Sequence, residues 1–291
     1  MTRRHAPFGR VLVLYAVALS ILAVAGLGVV TAVFYLGQRY ILFENTLYGD
    51  IASPAKIGMA DVKVVTVTTA DGLDLSLWYK KAAPGCPTIA YFHGNDGDVR
   101  SRAFKMEPFL SAGWGAVFAE YRGYGGNPGR PTESGLYEDA RAVIHHLADE
   151  GVPPTQAFFL GESLGAGVAV KMSEEFTPAG LILQAPYTSI SDVAQFMYWF
   201  LPASLLTRDR FPSISRIGYL HSPVLIIHGE QDKTIPVELA RKLLAAAPEP
   251  KQGVFIPGAG HDNLFALGAV DAIADFVDHR PTCRLDTEAS P

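Results

Sequence analysis

A chain of 291 residues holds one large α/β domain or two small ones, and its 49% hydrophobic against 18% charged residues is apolar for a soluble protein. A net charge of −5, with no basic block beyond the first ten residues, argues against nucleic acid as a partner. Two cysteines, Cys86 and Cys283, are too few for a thiolate metal site or a disulfide framework.

Residues 1–10 carry Arg3, Arg4 and Arg10, and residues 11–37 carry no charge. An apolar run of that length crosses a hydrocarbon core of about 30 Å. Basic residues ahead of it favour a cytoplasmic N-terminus, with the rest of the chain on the opposite side. A single-pass transmembrane anchor is therefore expected. The alternatives are a buried helix and a secretory signal cleaved after Ala23-Val24-Ala25, which would release a secreted protein. The apolar run continues to Leu36, which a cleaved signal does not need. Residues 38–60 read as a tether, with Tyr40, Ile41, Leu42 and Phe43 at the membrane interface or against the folded domain.

That domain is expected over residues 61–279. A β-branched run at 62–68, the turn signal Asp71-Gly72 and the alternation at 73–79 predict a hairpin. Strands then alternate with helices. Strands are expected at 88–92, 115–119, 157–160, 180–183, 224–228 and 254–256, and helices at 99–112, 132–149, 166–176, 237–247 and 264–278. Antiparallel strands followed by this alternation predict a mostly parallel sheet flanked by helices. Residues 187–220 interrupt the pattern with an aromatic-rich insertion, expected to form a lid or a substrate wall. Its segment 196–201 is apolar enough to touch a bilayer. Residues 280–291 read as a loose polar tail.

The chemistry centres on Gly161-Glu162-Ser163-Leu164-Gly165, set between a strand and a helix. This is G-x-S-x-G in the context that gives the pattern meaning: a sharp turn that raises a serine above the sheet edge. A serine hydroxyl needs a base, and the base needs an orienting acid. Asp232 follows the strand at 224–228, and His261 lies in the glycine-rich loop after the last strand, so the order Ser163, Asp232, His261 is the one this architecture uses. Asp192 and Glu230 are weaker substitutes for the acid. The oxyanion donors are expected to be the backbone amides of Leu164 and Asn95, with Gly94 and Asp96 as neighbours of the second. His93 reads as structural, His228 as packing or a buttress of the acid loop, and Arg122 as a brace between loops.

With Phe92-His93-Gly94-Asn95, Tyr121-Arg122-Gly123-Tyr124-Gly125, Gly229-Glu230-Gln231-Asp232 and Gly260-His261, the chain resembles an α/β-hydrolase over residues 62–278. It resembles the serine aminopeptidase-like set and, within it, membrane-anchored hydrolases related to protein depalmitoylases and BEM-type proteins. The resemblance implies a cofactor-free hydrolase, with Ser163 as nucleophile, Asp232 as acid, His261 as base, and Asn95 with Leu164 as oxyanion donors. Glu120 stands where relatives often have Asp.

The leading expectation is thus a membrane-anchored serine hydrolase of esters or thioesters, acting on a small-molecule or lipid acyl substrate or an acylated protein. No metal or cofactor is expected. An aminopeptidase is the runner-up. It would need an anionic pocket for the substrate's amine, for which the insertion offers only Asp192 and Asp209. A non-catalytic, membrane-bound interaction protein on the same fold is the third alternative, and its expected signature, loss of a triad residue, is missing. Cys86 and Cys283 are expected at the sheet edge opposite the site, where an oxidising compartment would permit a disulfide.

Overall fold

The computed structural model describes residues 8–43 and 53–277. It opens on one helix, α1 (Phe8–Leu42). The stretch Gly9–Leu42 contains an 18-residue segment of mean hydropathy 2.5 and is long and apolar enough to cross a membrane. At 1.5 Å per residue its 35 residues extend about 52 Å, roughly 20 Å more than a hydrocarbon layer needs. Residues 38–42, expected as tether, instead continue the helix. Nothing from Gln38 to Leu42 breaks it, and Arg39 gains a bidentate pair with Asp209 (2.7 and 3.1 Å). The side chains of α1 are mostly exposed, but Thr31, Phe34, Gln38 and Leu42 form a half-buried stripe at helical spacing. Phe43, which follows the helix, is buried against Phe211.

The hairpin forms as expected, from β1 (Lys63–Thr68) and β2 (Asp74–Lys80). The alternation follows: β3 (Thr88–Phe92), α2 (Val99–Ser111), β4 (Gly115–Ala119), α3 (Glu133–Asp149), β5 (Ala157–Glu162), α4 (Leu164–Glu175) and β6 (Gly180–Gln184). The insertion carries α5 (Ile190–Met197) and α6 (Ala203–Leu206). The chain then returns through β7 (Val224–Gly229), α7 (Val237–Ala246), β8 (Lys251–Ile256) and α8 (Ala269–Val277). The last helix, expected from residue 264, is split. A short 3-10 turn, Phe265–Leu267, ends where Gly268 turns left-handed at φ 109°, and α8 starts after it. Residue 278 and the tail lie outside the described residues, as does Cys283, on which the disulfide expectation rests.

Eight strands form one sheet in the order β1-β2-β4-β3-β5-β6-β7-β8. The β1–β2 and β2–β4 pairings are antiparallel and all others are parallel. The central strands β3, β4, β5, β6 and β7 are buried along almost their whole length, which is why they read as apolar runs without polar alternation. Successive residues still point to opposite faces. Ala90, Phe92, Val224 and Ile226 join the core packed with α3, α4 and α7, while Ile89, Tyr91, Leu225 and Ile227 join the core packed with α2 and α8. Because β3, β5, β7 and β8 run in parallel, the loops after them emerge at one edge of the sheet. Those four loops carry Asn95, Ser163, Asp232 and His261.

Candidate active site

The turn between β5 and α4 is built by exclusion. Ser163 adopts φ 51°, ψ −118°, a left-handed conformation that an L-residue holds only when its surroundings force it. Its amide donates to the Gln184 carbonyl (2.9 Å), tying the turn to β6. A Cβ on Gly165 would lie 2.1 Å from the Phe92 carbonyl oxygen, and one on Gly161 would lie 2.5 Å from the Gly165 oxygen. Only glycine permits that approach. The turn therefore packs directly on the end of β3, and the α4 N-terminus, which has no side-chain cap, opens beside Ser163.

His261 reaches back over this turn. Its Nε2 lies 3.0 Å from Ser163 Oγ, and its Nδ1 lies 2.7 Å from Asp232 Oδ2. That pairing places the imidazole proton on Nδ1, donating to the carboxylate, and leaves Nε2 to accept from the serine hydroxyl. The other carboxylate oxygen, Oδ1, accepts from the amides of Thr234 and Ile235, each at 2.8 Å. The acid and base loops are tied together where the Gln231 amide donates to the Ala259 carbonyl (2.8 Å). Burial alone would raise the Asp232 carboxyl. Hydrogen bonds from His228 and His261, the His261 charge and the Ile235 amide outweigh it and hold Asp232 well below the usual carboxylate range. Burial alone would lower His261. The Asp232 hydrogen bond and charge outweigh it and raise the imidazole above its ordinary value.

Asn95 and Leu164 both line the cavity in front of Ser163. The Asn95 loop is anchored where the Tyr124 hydroxyl donates to its carbonyl (2.9 Å), and Gly94 lies against Ser163. The cavity measures about 390 Å³. Its walls come from three places: the loops around Ser163, the insertion (Ile190, Val193, Ala194, Met197, Tyr198, Leu201), and the last turns of α1 (Phe34, Gln38, Ile41, Leu42). They are predominantly apolar, and among the described residues no carboxylate lines the cavity. Asp192 is occupied by the Thr188 and Ser189 hydroxyls, and Asp209 by Arg39 and the Glu133 amide. Glu230 pairs with Arg241 at the surface.

The family described as serine aminopeptidase, S33 (Hydrolase_4), matches residues 87–216. An uncharacterized Mycobacterium tuberculosis protein is 39% identical over 264 residues, covering 89% of this chain and 93% of its own. The chain belongs to the α/β-hydrolase superfamily. The lysophosphatidylserine lipase ABHD12 of Danio rerio is 32% identical to this hydrolase over 197 residues, covering 60% of this chain and 51% of the fish protein. The esterase Pf2001 of Pyrococcus furiosus shares the fold, with a TM-score of 0.62 at 19% identity over 78% of this chain and 94% of its own.

Three features of this hydrolase's site depend on its packing. Of the two roles expected for His228 the buttress is the one observed: its Nε2 lies 2.9 Å from the Ile235 carbonyl and 3.3 Å from Asp232 Oδ2, so it braces the acid loop from the end of β7. Glu162, next to Ser163, is buried among Lys105 (2.7 Å), Arg102 (3.5 Å) and the Tyr91 hydroxyl. Burial works against that carboxylate, but the charges of Lys105 and Arg102 win and lower its pKa. The i, i+3 spacing of Arg102 and Lys105 puts two cations on one face of α2, but the carboxylate they meet is set by packing. The third is the α1 wall, which no local pattern announces. Two expectations about supporting residues do hold. Arg122 bridges Asp139 (Nε to Oδ1, 2.8 Å) and Asp71 (2.6 and 2.9 Å), bracing the loops. His93 is fully buried, with Nδ1 at 2.7 Å from the Gly94 carbonyl and Nε2 at 3.2 Å from Glu120, which also accepts from the Val99 amide and so anchors the start of α2.

Proposed function

We propose that this protein is a membrane-anchored serine hydrolase that cleaves acyl esters or thioesters through an acyl-enzyme. The observation that carries the proposal is the continuous Ser163–His261–Asp232 hydrogen-bonded line (3.0 and 2.7 Å) opening onto an apolar cavity. Ser163 Oγ attacks the acyl carbonyl carbon while its proton passes to His261 Nε2. Asp232 holds the ring and offsets the imidazolium charge. The oxyanion is met by the amides of Leu164, at the N-terminus of α4, and Asn95. Collapse breaks the bond to the leaving alcohol or thiol, which departs with the proton from His261. Water then attacks the acyl-enzyme, His261 takes its proton, and return of that proton to Ser163 releases the carboxylic acid.

An acyl ester fits the cavity better than a peptide with a free amino terminus. An aminopeptidase must compensate a buried ammonium, and the two acidic residues of the insertion are committed to other partners. The fish relative, a lipase by name, favours a lipid acyl ester, and an acylated protein is the thioester alternative. The apolar 34-residue stretch, fully exposed over its span window, supports anchoring, with the hydrolase domain on the side opposite the basic N-terminal residues. The test is turnover of p-nitrophenyl esters by the purified full chain and by Ser163→Ala. Loss of turnover and of labelling by a fluorophosphonate probe is expected, and undiminished turnover refutes the assignment.

A further inference from the structure

The helix expected to serve only as an anchor also builds the site. Four residues from its last turns, Phe34, Gln38, Ile41 and Leu42, line the same cavity that Ser163 and Leu164 open into. They are fixed there by contacts that a passive tether would not need. Gln38 donates to the Leu206 carbonyl (3.2 Å) and accepts from the Arg208 amide (2.7 Å), so its amide group ties the C-terminal end of α6 onto α1. Arg39 makes its paired bonds to Asp209, which is almost fully buried and also caps the Glu133 amide at the start of α3 (2.9 Å). Phe34 packs edge-on against Tyr198 of the insertion, with ring centroids 4.7 Å apart. Helix length agrees with this placement. A hydrocarbon layer consumes about 20 residues, and α1 has 35, so its last turns stand clear of the bilayer and reach the hydrolase domain.

The geometry points to α1 as the specificity wall of the acyl cavity: Phe34, Ile41 and Leu42 contact the acyl chain of the substrate and determine which chain lengths Ser163 accepts. This rests on the acyl-hydrolase reading above. The physical basis is that the reacting carbonyl is held at Ser163, so the rest of the acyl group must lie along whatever faces that serine. The facing surface is shared between α1 and α5 and is apolar on both sides. A substrate chain that fills the cavity is desolvated against these side chains, and each buried CH₂ adds to its hold. A bulkier wall shortens the accepted chain and a thinner one lengthens it. Release of the domain from α1 would leave the cavity open along one side.

The test uses the full chain in dodecyl maltoside micelles with p-nitrophenyl acetate, octanoate and palmitate. The readout is the ratio of kcat/KM for palmitate to that for acetate. Ile41→Trp is expected to lower the ratio at least tenfold, and Ile41→Ala to shift the optimum toward longer chains. Leu19→Trp, on the same helix but remote from the cavity, is expected to leave the ratio within twofold of wild type. An unchanged ratio in Ile41→Trp overturns the proposal, as does an equal change in Leu19→Trp. If Ile41→Trp fails to fold, Ile41→Ala and Phe34→Ala decide, and an unshifted profile in both overturns it. Binding separates this inference from the reading it rests on. Ile41→Trp in the Ser163→Ala background should weaken binding of a fluorescent long-chain fatty acid at least tenfold. If wild type cleaves no ester but this binding still depends on Ile41, the functional reading fails and the wall stands. Binding that is indifferent to Ile41 removes the wall even in an active esterase.

Discussion

The loops that carry Ser163, Asp232 and His261 and the wall made by α1 and the insertion face each other across one cavity, yet they are built on different principles. The first region is held by backbone. Each side chain sits one to five residues beyond a parallel strand, and the register of β5, β6, β7 and β8 aligns those strand ends. Glycines at 161 and 165 are required by contacts of 2.5 and 2.1 Å that a Cβ would make. The second region is held by side chains from segments about 170 positions apart, above all Arg39 with Asp209 and Gln38 with Arg208. A backbone-built site tolerates little change in its reacting atoms. A side-chain-built wall tolerates substitution at a cost in stability and a change in what it admits.

The largest expected effect breaks the first region. Ser163→Ala should reduce kcat/KM for p-nitrophenyl esters by roughly 10³-fold or more while leaving the thermal midpoint close to wild type, since it removes a reacting atom and no packing. Asp232→Asn should cost about 10³- to 10⁴-fold by the same assay. It should also move the pH profile. In the proposed mechanism neutral imidazole is the active form, so kcat/KM should rise with pH. Because Asp232 raises His261 above its ordinary 6.5, the wild-type midpoint should lie above that value. In Asp232→Asn the hydrogen bond to a charge is lost and burial remains, so the midpoint should fall. A midpoint unmoved by the substitution would break the link between the two residues.

Smaller effects sharpen the comparison. Glu162→Ala leaves Lys105 and Arg102 beside an emptied, buried position. Denaturant unfolding should show about 3–5 kcal/mol of lost stability, unlike Ser163→Ala, its neighbour. Asp209→Ala removes the joint between α1 and the insertion and unpairs the Glu133 amide. A loss of about 1–3 kcal/mol is expected by thermal unfolding in detergent, with the ester chain-length profile broadened. The smallest effect belongs to Arg141, which pairs with Glu138 and Glu175 at the surface of α3 and α4. Arg141→Ala should cost no more than about 1 kcal/mol, and less at high salt.

Much of this molecule follows from its sequence alone, for a physical reason. Buried parallel strands need continuous apolar runs, and the runs at Thr88–Phe92 and Gly115–Ala119 have the bounds that composition marks. A strained serine turn needs small neighbours, so Gly161 and Gly165 advertise it, and parallel topology then brings the strand ends after β3, β7 and β8 to the same edge. Local chemistry and strand period determine those features. Tertiary structure decided the rest. That the last turns of α1 dock on the insertion depends on a carboxylate 170 positions away. His228 braces Asp232 because the loop after β7 turns the Ile235 carbonyl back over its ring. The charge beside Ser163 is compensated only when α2 packs Lys105 and Arg102 onto the end of β5. Each of these is a meeting of side chains that are remote along the chain, set by packing of whole elements, which no local pattern encodes.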